Sequence, residues 1–246
     1  MDGKLTKLEQ DAEITLAVCA SVQGGQRLEY RATEPLAMCS TFKAILVGVL
    51  LSKHARDDSY WATQVMIDPA KVLSYAPITQ PFAGRPMPIA DLCDATLRYS
   101  DNTAANLLLE QLGGPPALTF FAADLGFKNT RLDRTEPDLN ESKAGDARDT
   151  STAADLAGIY SALLLGDALG ALGQSMLRGW MLRNTTSAQK MGAGIPKEAE
   201  LADKTGSGSY GTLNDVGVIF RKAKPPVTLA ILSRAVSTDP NEQGDA

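Results

Sequence analysis

The chain has 246 residues, 44% of them apolar and 22% charged, and Asp and Glu outnumber Lys and Arg by 29 to 24, for a net charge of −5. That is enough chain to bury a large core in one or two closely joined domains. Mild acidity without a basic run argues against a nucleic-acid partner, and no stretch reaches the roughly 18 consecutive apolar residues of a membrane-spanning helix.

Residues 4–12 predict a short opening helix. Runs 14–21 and 26–31 read as strands, and Gln23-Gly24-Gly25 between them is a turn signal, so the pair predicts a hairpin. Residues 42–51 are apolar on nearly all sides, which predicts a helix buried in mid-core with Ser40 held at its mouth. Helices are then predicted over 89–99, 103–112, 117–125, 151–165 and 167–182, each bounded by Gly, Pro, Ser, Thr or Asp. Between the third and fourth lies 126–150, about 25 residues rich in charge and without regular period; a loop that long in a compact domain is more often functional than idle. Strand patterns return at 200–205, 212–220 and 228–234, with 222–226 as the turn between the last two.

Strands at both ends with helices between predict an α/β plus all-α fold, in which an antiparallel sheet built from both chain termini is flanked by helices and carries an inserted helical domain. The expected α/β domain comprises 1–37 and 185–246, and the expected all-α domain 38–184, including loop 126–150. Cys19, Cys39 and Cys93 are too few for a disulfide scaffold, and their odd number leaves at least one free thiol. The single histidine, His54, falls in a helical stretch and reads as an ordinary helix residue, which argues against a His-based triad or a His-rich zinc site. The start Met1-Asp2-Gly3-Lys4 lacks the apolar segment of a signal peptide, as in a cytoplasmic protein or an exported one whose leader has been removed.

Four short blocks carry the chemistry: Ser40-Thr41-Phe42-Lys43, Ser100-Asp101-Asn102, Glu136-Pro137-Asp138-Leu139-Asn140 and Lys204-Thr205-Gly206. Ser40 and Lys43, three apart on one helix, share a face that sets the amine near the hydroxyl, and a lysine buried there has a lowered pKa and acts as a base. Taken alone, the same spacing describes a capping serine and a surface lysine. Ser100-Asp101-Asn102 stands between two helices, where it reads as an N-cap, or as a proton-relay hydroxyl (Ser100) beside a substrate-binding amide (Asn102). Lys204-Thr205-Gly206-Ser207-Gly208 ends a strand whose glycines allow a ligand close to the backbone. Lys204 offers positive charge there, and Thr205 and Ser207 offer hydrogen bonds to a carboxylate; an exposed strand end and turn is the plain alternative. Glu136 precedes Pro137, where a cis bond is possible. Its loop also holds Arg131, Arg134, Asp146 and Asp149, opposite charges able to tie the loop ends together or merely to lace its surface with weak ion pairs.

In this order the blocks resemble the signature set of the class A serine β-lactamases. Ala37-Met38-Cys39, Tyr75-Ala76-Pro77-Ile78-Thr79, Asn184-Thr185-Thr186, Ala193-Gly194-Ile195-Pro196 and Tyr210-Gly211-Thr212-Leu213-Asn214-Asp215 extend the resemblance over essentially the whole chain, toward the extended-spectrum, cephalosporin-hydrolysing members. The resemblance implies a β-lactamase/transpeptidase-like fold and hydrolysis of the β-lactam amide of penicillins and cephalosporins through a serine acyl-enzyme, giving antibiotic resistance, with no cofactor and no metal. Ser40 would be the nucleophile, the backbone N–H groups of Ser40 and Ser207 the oxyanion hole, and either Lys43 or Glu136 the acceptor of the serine proton. Ser100 would protonate the β-lactam nitrogen with help from Lys204, while Glu136 and Asn140 would position and activate the deacylating water. Tyr75 would wall the pocket entrance, and Asn102, Lys204, Thr205, Gly206 and Ser207 would contact substrate. Leu213 stands where many members carry an arginine, and Lys190, at another position that accepts a basic residue, is its expected partial substitute.

The same resemblance implies β-lactam substrates and mechanism-based inhibitors as partners, and a periplasmic or secreted location in bacteria with the leader removed. Gly208 stands where carbapenem-hydrolysing relatives place a cysteine opposite Cys39, and Val47 where Cys93 would find its partner, so reduced thiols are expected and strong carbapenem hydrolysis is not. The long helix that follows the last strand in the family has no counterpart before Ala246, which leads to an expectation of low stability or of compensation by association in an otherwise monomeric protein. Two alternatives remain open: a penicillin-binding, acyl-trapping protein without efficient turnover, and an inactive truncated fragment serving in binding or complementation. Turnover against single acylation separates them.

Overall fold

The computed structural model describes residues 2–236 and 239. Helix α1 (Asp2–Asp11) leads into the hairpin β1 (Ile14–Val22) and β2 (Arg27–Tyr30), and a two-residue strand β3 (Leu36–Ala37) precedes α2 (Phe42–His54). There follow α3 (Asp58–Ala62), β4 (Gln64–Met66), β5 (Pro86–Pro88), α4 (Ile89–Arg98), α5 (Asn102–Gln111) and α6 (Pro116–Asp124). After the long loop come β6 (Thr150–Ser151), α7 (Ala153–Leu164), α8 (Gly170–Met181) and α9 (Met191–Gly194), and the chain returns to strands in β7 (Glu200–Gly208), β8 (Thr212–Arg221) and β9 (Lys224–Ala235).

The five long strands form one antiparallel sheet in the order β2-β1-β9-β8-β7, so the first strands and the last interleave and β7 lies at an edge. Alternation along the strands turns Ala17, Cys19, Val216, Val218, Ala230 and Leu232 toward one core, where they join the helices. Helix α2 runs through that core with every residue from Phe42 to Leu51 buried, as a sequence apolar at every position but Lys43 requires. On the hairpin side, the Glu9 carboxylate of α1 accepts bonds from the Leu16 N–H (2.9 Å) and the Tyr30 hydroxyl (2.7 Å), fastening that helix to β1 and β2.

The predicted elements recur with shifted ends. The turn expected over 222–226 shrinks to Lys222 and Ala223, because β9 already begins at Lys224 and Arg221 pairs with it. Pro225 and Pro226 are the reason it read as a turn. They sit beside a register shift between Ile219 and Arg221, the kind of place where a strand tolerates residues that cannot donate to the ladder. The helix expected from 167 begins at Gly170, after a turn closed by the Gly170 N–H on the Asp167 carbonyl. The strand pairs β3·β6 and β4·β5 carry no readable alternation and were not expected. All three cysteines are free and buried, and burial raises the pKa of each, that of Cys39 to about 12. No helix among the described residues is long and apolar enough to cross a membrane. The expectation about a closing helix after the last strand lies outside the described residues.

Candidate active site

Ser40 sits in a 3-10 turn, Cys39–Thr41, that opens directly into α2. Cys39 adopts a φ of +45°, a backbone conformation that non-glycine residues hold only when their surroundings fix it. Several surrounding groups do so. The Met38 N–H donates to the Asp149 carbonyl (2.9 Å), the Asn214 amide donates to the carbonyls of Ala37 (2.8 Å) and Met38 (3.1 Å), and the Tyr160 hydroxyl donates to the Thr41 carbonyl (2.7 Å). Loop, sheet and α7 therefore all grip the turn that carries the serine.

One helical turn on, Lys43 is fully buried, and its ammonium reaches the Ser100 carbonyl (2.8 Å), the Ser100 hydroxyl (3.2 Å), Asn102 Oδ1 (2.6 Å) and Glu136 Oε1 (2.9 Å). The same Glu136 Oε1 accepts from the Ser40 hydroxyl at 3.2 Å, so one carboxylate oxygen joins serine and lysine. Burial pushes Lys43 below the ordinary lysine range, and the charge of Glu136 opposes that shift. Both side chains of the pair are wholly out of water, an arrangement that holds only because each neutralises the other and both are hydrogen-bonded.

Glu136 reaches this position through its loop. The Glu136–Pro137 bond is cis, and a 3-10 turn over Asp138–Glu141 follows. Asn140 Nδ2 donates to Glu136 Oε2 at 2.5 Å, while Asn140 Oδ1 is buried without a partner among the described residues. Asn106 on α5 clamps the backbone of Glu136 from both sides, accepting its N–H (2.9 Å) and donating to its carbonyl (2.8 Å). Arg134 and Asp149 close the loop's base at 2.6 Å, and Asp149 also accepts the N–H groups of Asp133 and Arg134. Arg131 and Asp146 do not span the loop: they pair two residues away with Asp133 and Arg148.

Ser100 has a φ of +59° at the corner between α4 and α5. Asp101 caps α5 through the Ala104 N–H and also accepts the Ile78 N–H, the Thr79 N–H and the Thr79 hydroxyl, which fastens the Tyr75–Thr79 segment to this corner. The Asn102 N–H adds a bond to the Tyr75 carbonyl (3.0 Å), and the Tyr75 side chain is half-exposed.

The edge strand β7 closes the opposite side. A Cβ on Gly206 would stand 2.8 Å from the Met38 carbonyl oxygen and 3.2 Å from the Ser40 nitrogen, so only glycine lets β7 come this close to the serine turn. Lys204 is fully buried and donates to the Thr205 carbonyl (2.9 Å). Burial first, and the charge of Lys43 next, push it down to about 7, against the pull of Asp203 and Asp215. Thr205 bonds Thr186 hydroxyl to hydroxyl at 2.5 Å, and the Lys190 ammonium donates to the exposed Ser207 hydroxyl at 3.3 Å. Asn106, Tyr160 and Asn214 had been given no part from sequence. Only Asn106 had a usable signal, lying one helical turn after Asn102 and on the same face.

A family model described as the β-lactamase enzyme family matches residues 2–246. The chain is 41% identical to β-lactamase FAR-1 of Nocardia farcinica over 244 residues, 99% of this chain and 77% of that protein, and 40% identical to β-lactamase CTX-M-8 of Citrobacter amalonaticus over 228 residues, 92% and 78%. Among solved structures it superposes on a β-lactamase from Desulfarculus baarsii with a TM-score of 0.93 at 43% identity, covering 96% of this chain and 89% of that one. It superposes on a class A β-lactamase from Mycobacterium abscessus with a TM-score of 0.92 at 38% identity, covering 98% and 91%. The chain belongs to the β-lactamase enzyme family. Within it the chain is a class A enzyme, a hydrolase acting on the β-lactam amide, as the resemblance of its blocks implied.

Proposed function

We propose that this protein hydrolyses penicillins and cephalosporins through an acyl-enzyme on Ser40, in a cleft between a helical part, 38–184, and a sheet part, 1–37 with 185–246. The observation that carries the reading is the single oxygen, Glu136 Oε1, bonded by both Ser40 Oγ and Lys43 Nζ. A serine proton leaving toward that oxygen, or toward a lysine whose proton affinity burial has lowered, has a short path either way.

The remaining bonds divide the work. Lys43 occupies Asn102 Oδ1, which leaves the Asn102 NH2 to donate to a substrate carbonyl. Lys43 also bonds the Ser100 oxygen, so the hydroxyl proton of Ser100 is free to pass to the β-lactam nitrogen as the ring opens. The N–H groups of Ser40 and Ser207 lie on the two elements that Gly206 brings together and serve as the oxyanion hole, each donor worth about 3 kcal/mol at the transition state. Asn140 holds one Glu136 oxygen and turns its own unpartnered Oδ1 to the attacking water, and Glu136 takes that water's proton in deacylation. Lys204, Thr205 and Ser207 bind the substrate carboxylate, with Tyr75 at the rim. Export to the periplasm or the medium suits a cell-wall antibiotic as substrate.

A nitrocefin progress curve, with intact-protein mass spectrometry on the same sample, tests this. Many turnovers with a transient adduct on Ser40 are expected. A single burst with a stable adduct would instead make the protein an acyl trap, and neither colour nor adduct would leave a non-enzymatic fragment.

Lys190 stands beside Ser207 at the end of the carboxylate-binding strand, and Leu213 pairs opposite Ser207 without a charge of its own. Lys190→Ala is therefore expected to raise KM for penicillins about tenfold with little change in kcat, or to weaken inactivation by clavulanate, because it removes uniform binding. An unchanged KM and inactivation rate would take Lys190 out of the site.

A further inference from the structure

Asp203 and Asp215 have no part in the reaction outlined above, although one precedes Lys204 and the other pairs with Thr205 across β7 and β8. In the register, Asp203 lies opposite Gly217 and Asp215 opposite Thr205, so the two carboxylic residues are diagonal neighbours on one face of the sheet. At Gly217 a Cβ would stand 2.6 Å from Cβ of Asp203, so the missing side chain is what makes room for Asp203. Both are buried, at 1% and 5% of their exposed area. Asp215 Oδ2 accepts the Met191 N–H (2.9 Å) from the start of α9. Its other oxygen, Oδ1, and Asp203 Oδ2 have no donor among the described residues, although the two side chains are within hydrogen-bonding reach of each other. Two buried carboxylates with facing empty lone pairs repel, whereas one proton between them satisfies both oxygens at once.

We propose that Asp203 and Asp215 share a single proton, and that the one negative charge of this pair is the positioning device that keeps Lys204 protonated for the substrate carboxylate. The groups that face the pair are Lys204 on β7, Lys190 before α9 and the Tyr160 hydroxyl of α7, with Lys43 acting on Lys204 from α2. Three of these are cations, and burial and mutual repulsion work against the charge of Lys204. The pair supplies the compensating anion without the cost of burying two. Burial and the neighbouring Asp203 raise the pKa of Asp215 to about 8, so the pair gains its second charge just as Lys204, at about 7, is losing its proton. The second ionisation therefore delays the loss of Lys204 charge as pH rises.

The positioning half rests on the proposed role of Lys204, whereas the proton-sharing half does not, and the two are read separately. Infrared difference spectra of wild type minus Asp215→Asn at pH 6.5 are expected to show a protonated-carboxyl band that titrates away near pH 8. No band, or a band that the substitution leaves in place, overturns proton sharing without reference to turnover. In nitrocefin kinetics, Asp203→Asn and Asp215→Asn each keep one charge and one donor, so KM near pH 6.5 stays within about threefold of wild type. Their alkaline limb in kcat/KM starts at lower pH, because the second ionisation is gone. Asp203→Asn/Asp215→Asn removes the last charge and raises KM more than tenfold with kcat within threefold. An unshifted alkaline limb in the single variants overturns the positioning role, and that comparison decides the matter even if the double variant fails to fold. A protein with no turnover at all would refute the proposed function and leave the infrared result standing.

Discussion

Glu136→Gln is expected to convert the enzyme into an acyl trap, with adduct on Ser40 still forming and its release slowed by about 10²–10⁴, the usual contribution of a positioned general base. The substitution is close to isosteric, and the site can absorb it. Glu136 Oε1 accepts from Ser40 and Lys43 while Oε2 accepts from Asn140 Nδ2, so a glutamine keeping its oxygen toward Ser40 and Lys43 would turn its NH2 against the Asn140 NH2. Asn140 Oδ1 has no partner among the described residues, and a flip of that amide presents it to the new donor, so the fold and the loop survive. What is lost is charge and basicity. Lys43, already depressed by burial, loses the anion that opposes the shift and gives up its proton more readily, which keeps a base available to Ser40. Quenched-flow mass spectrometry reads the outcome directly. Steady turnover within tenfold of wild type would remove Glu136 from deacylation, and absence of any adduct would make it the base of both half-reactions.

Much of this site could be read from the chain because its chemistry is concentrated in local spacings. Ser40 and Lys43 share a helix face, and Lys204 to Ser207 lie within one strand end. The run from Phe42 to Leu51, apolar but for Lys43, announces a helix in mid-core. What could not be read depends on contacts between segments far apart in sequence. Asn106 clamps Glu136 across 30 positions, and Asn214 grips Met38 across 176. None of these side chains differs in type from an ordinary helix, strand or loop residue. The strand β9 was cut short for the opposite reason: Pro225 and Pro226 carry a strong local turn signal, which sheet pairing on β9 overrides at a register shift. The partnership of Asp203 with Asp215 was hidden because Asp203 belongs to none of the blocks and Asp215 to one that starts four residues after Lys204-Thr205-Gly206, and only the β7·β8 register brings the two together.

Asp101→Ala is expected to cost about 3–5 kcal/mol of stability, because it strips an acceptor from four donors at once. Asp101 is fully buried. Oδ1 takes the Ala104 N–H and the Thr79 hydroxyl, and Oδ2 takes the N–H groups of Ile78 and Thr79, at 2.8 to 3.0 Å. With alanine the first turn of α5 loses its cap and the Tyr75–Thr79 segment loses its anchor, in a place where water cannot readily replace the carboxylate. Asparagine rescues it only in part: with its NH2 in the Oδ1 place the Thr79 hydroxyl can turn and accept, but the Ala104 N–H then faces a donor, so Asp101→Asn is expected to lose the helix cap and keep the two bonds at Oδ2. Activity should fall with stability, since Ser100 and Asn102 flank this residue and hold the Lys43 ammonium. Urea unfolding of both variants, followed by nitrocefin kinetics at a temperature where each is folded, separates the two effects. A stability within about 1 kcal/mol of wild type for Asp101→Ala would mean that the capping and loop-tying bonds are replaceable, whereas a stable Asp101→Asn beside an unstable Asp101→Ala would mean that two acceptor bonds, rather than four, hold the corner.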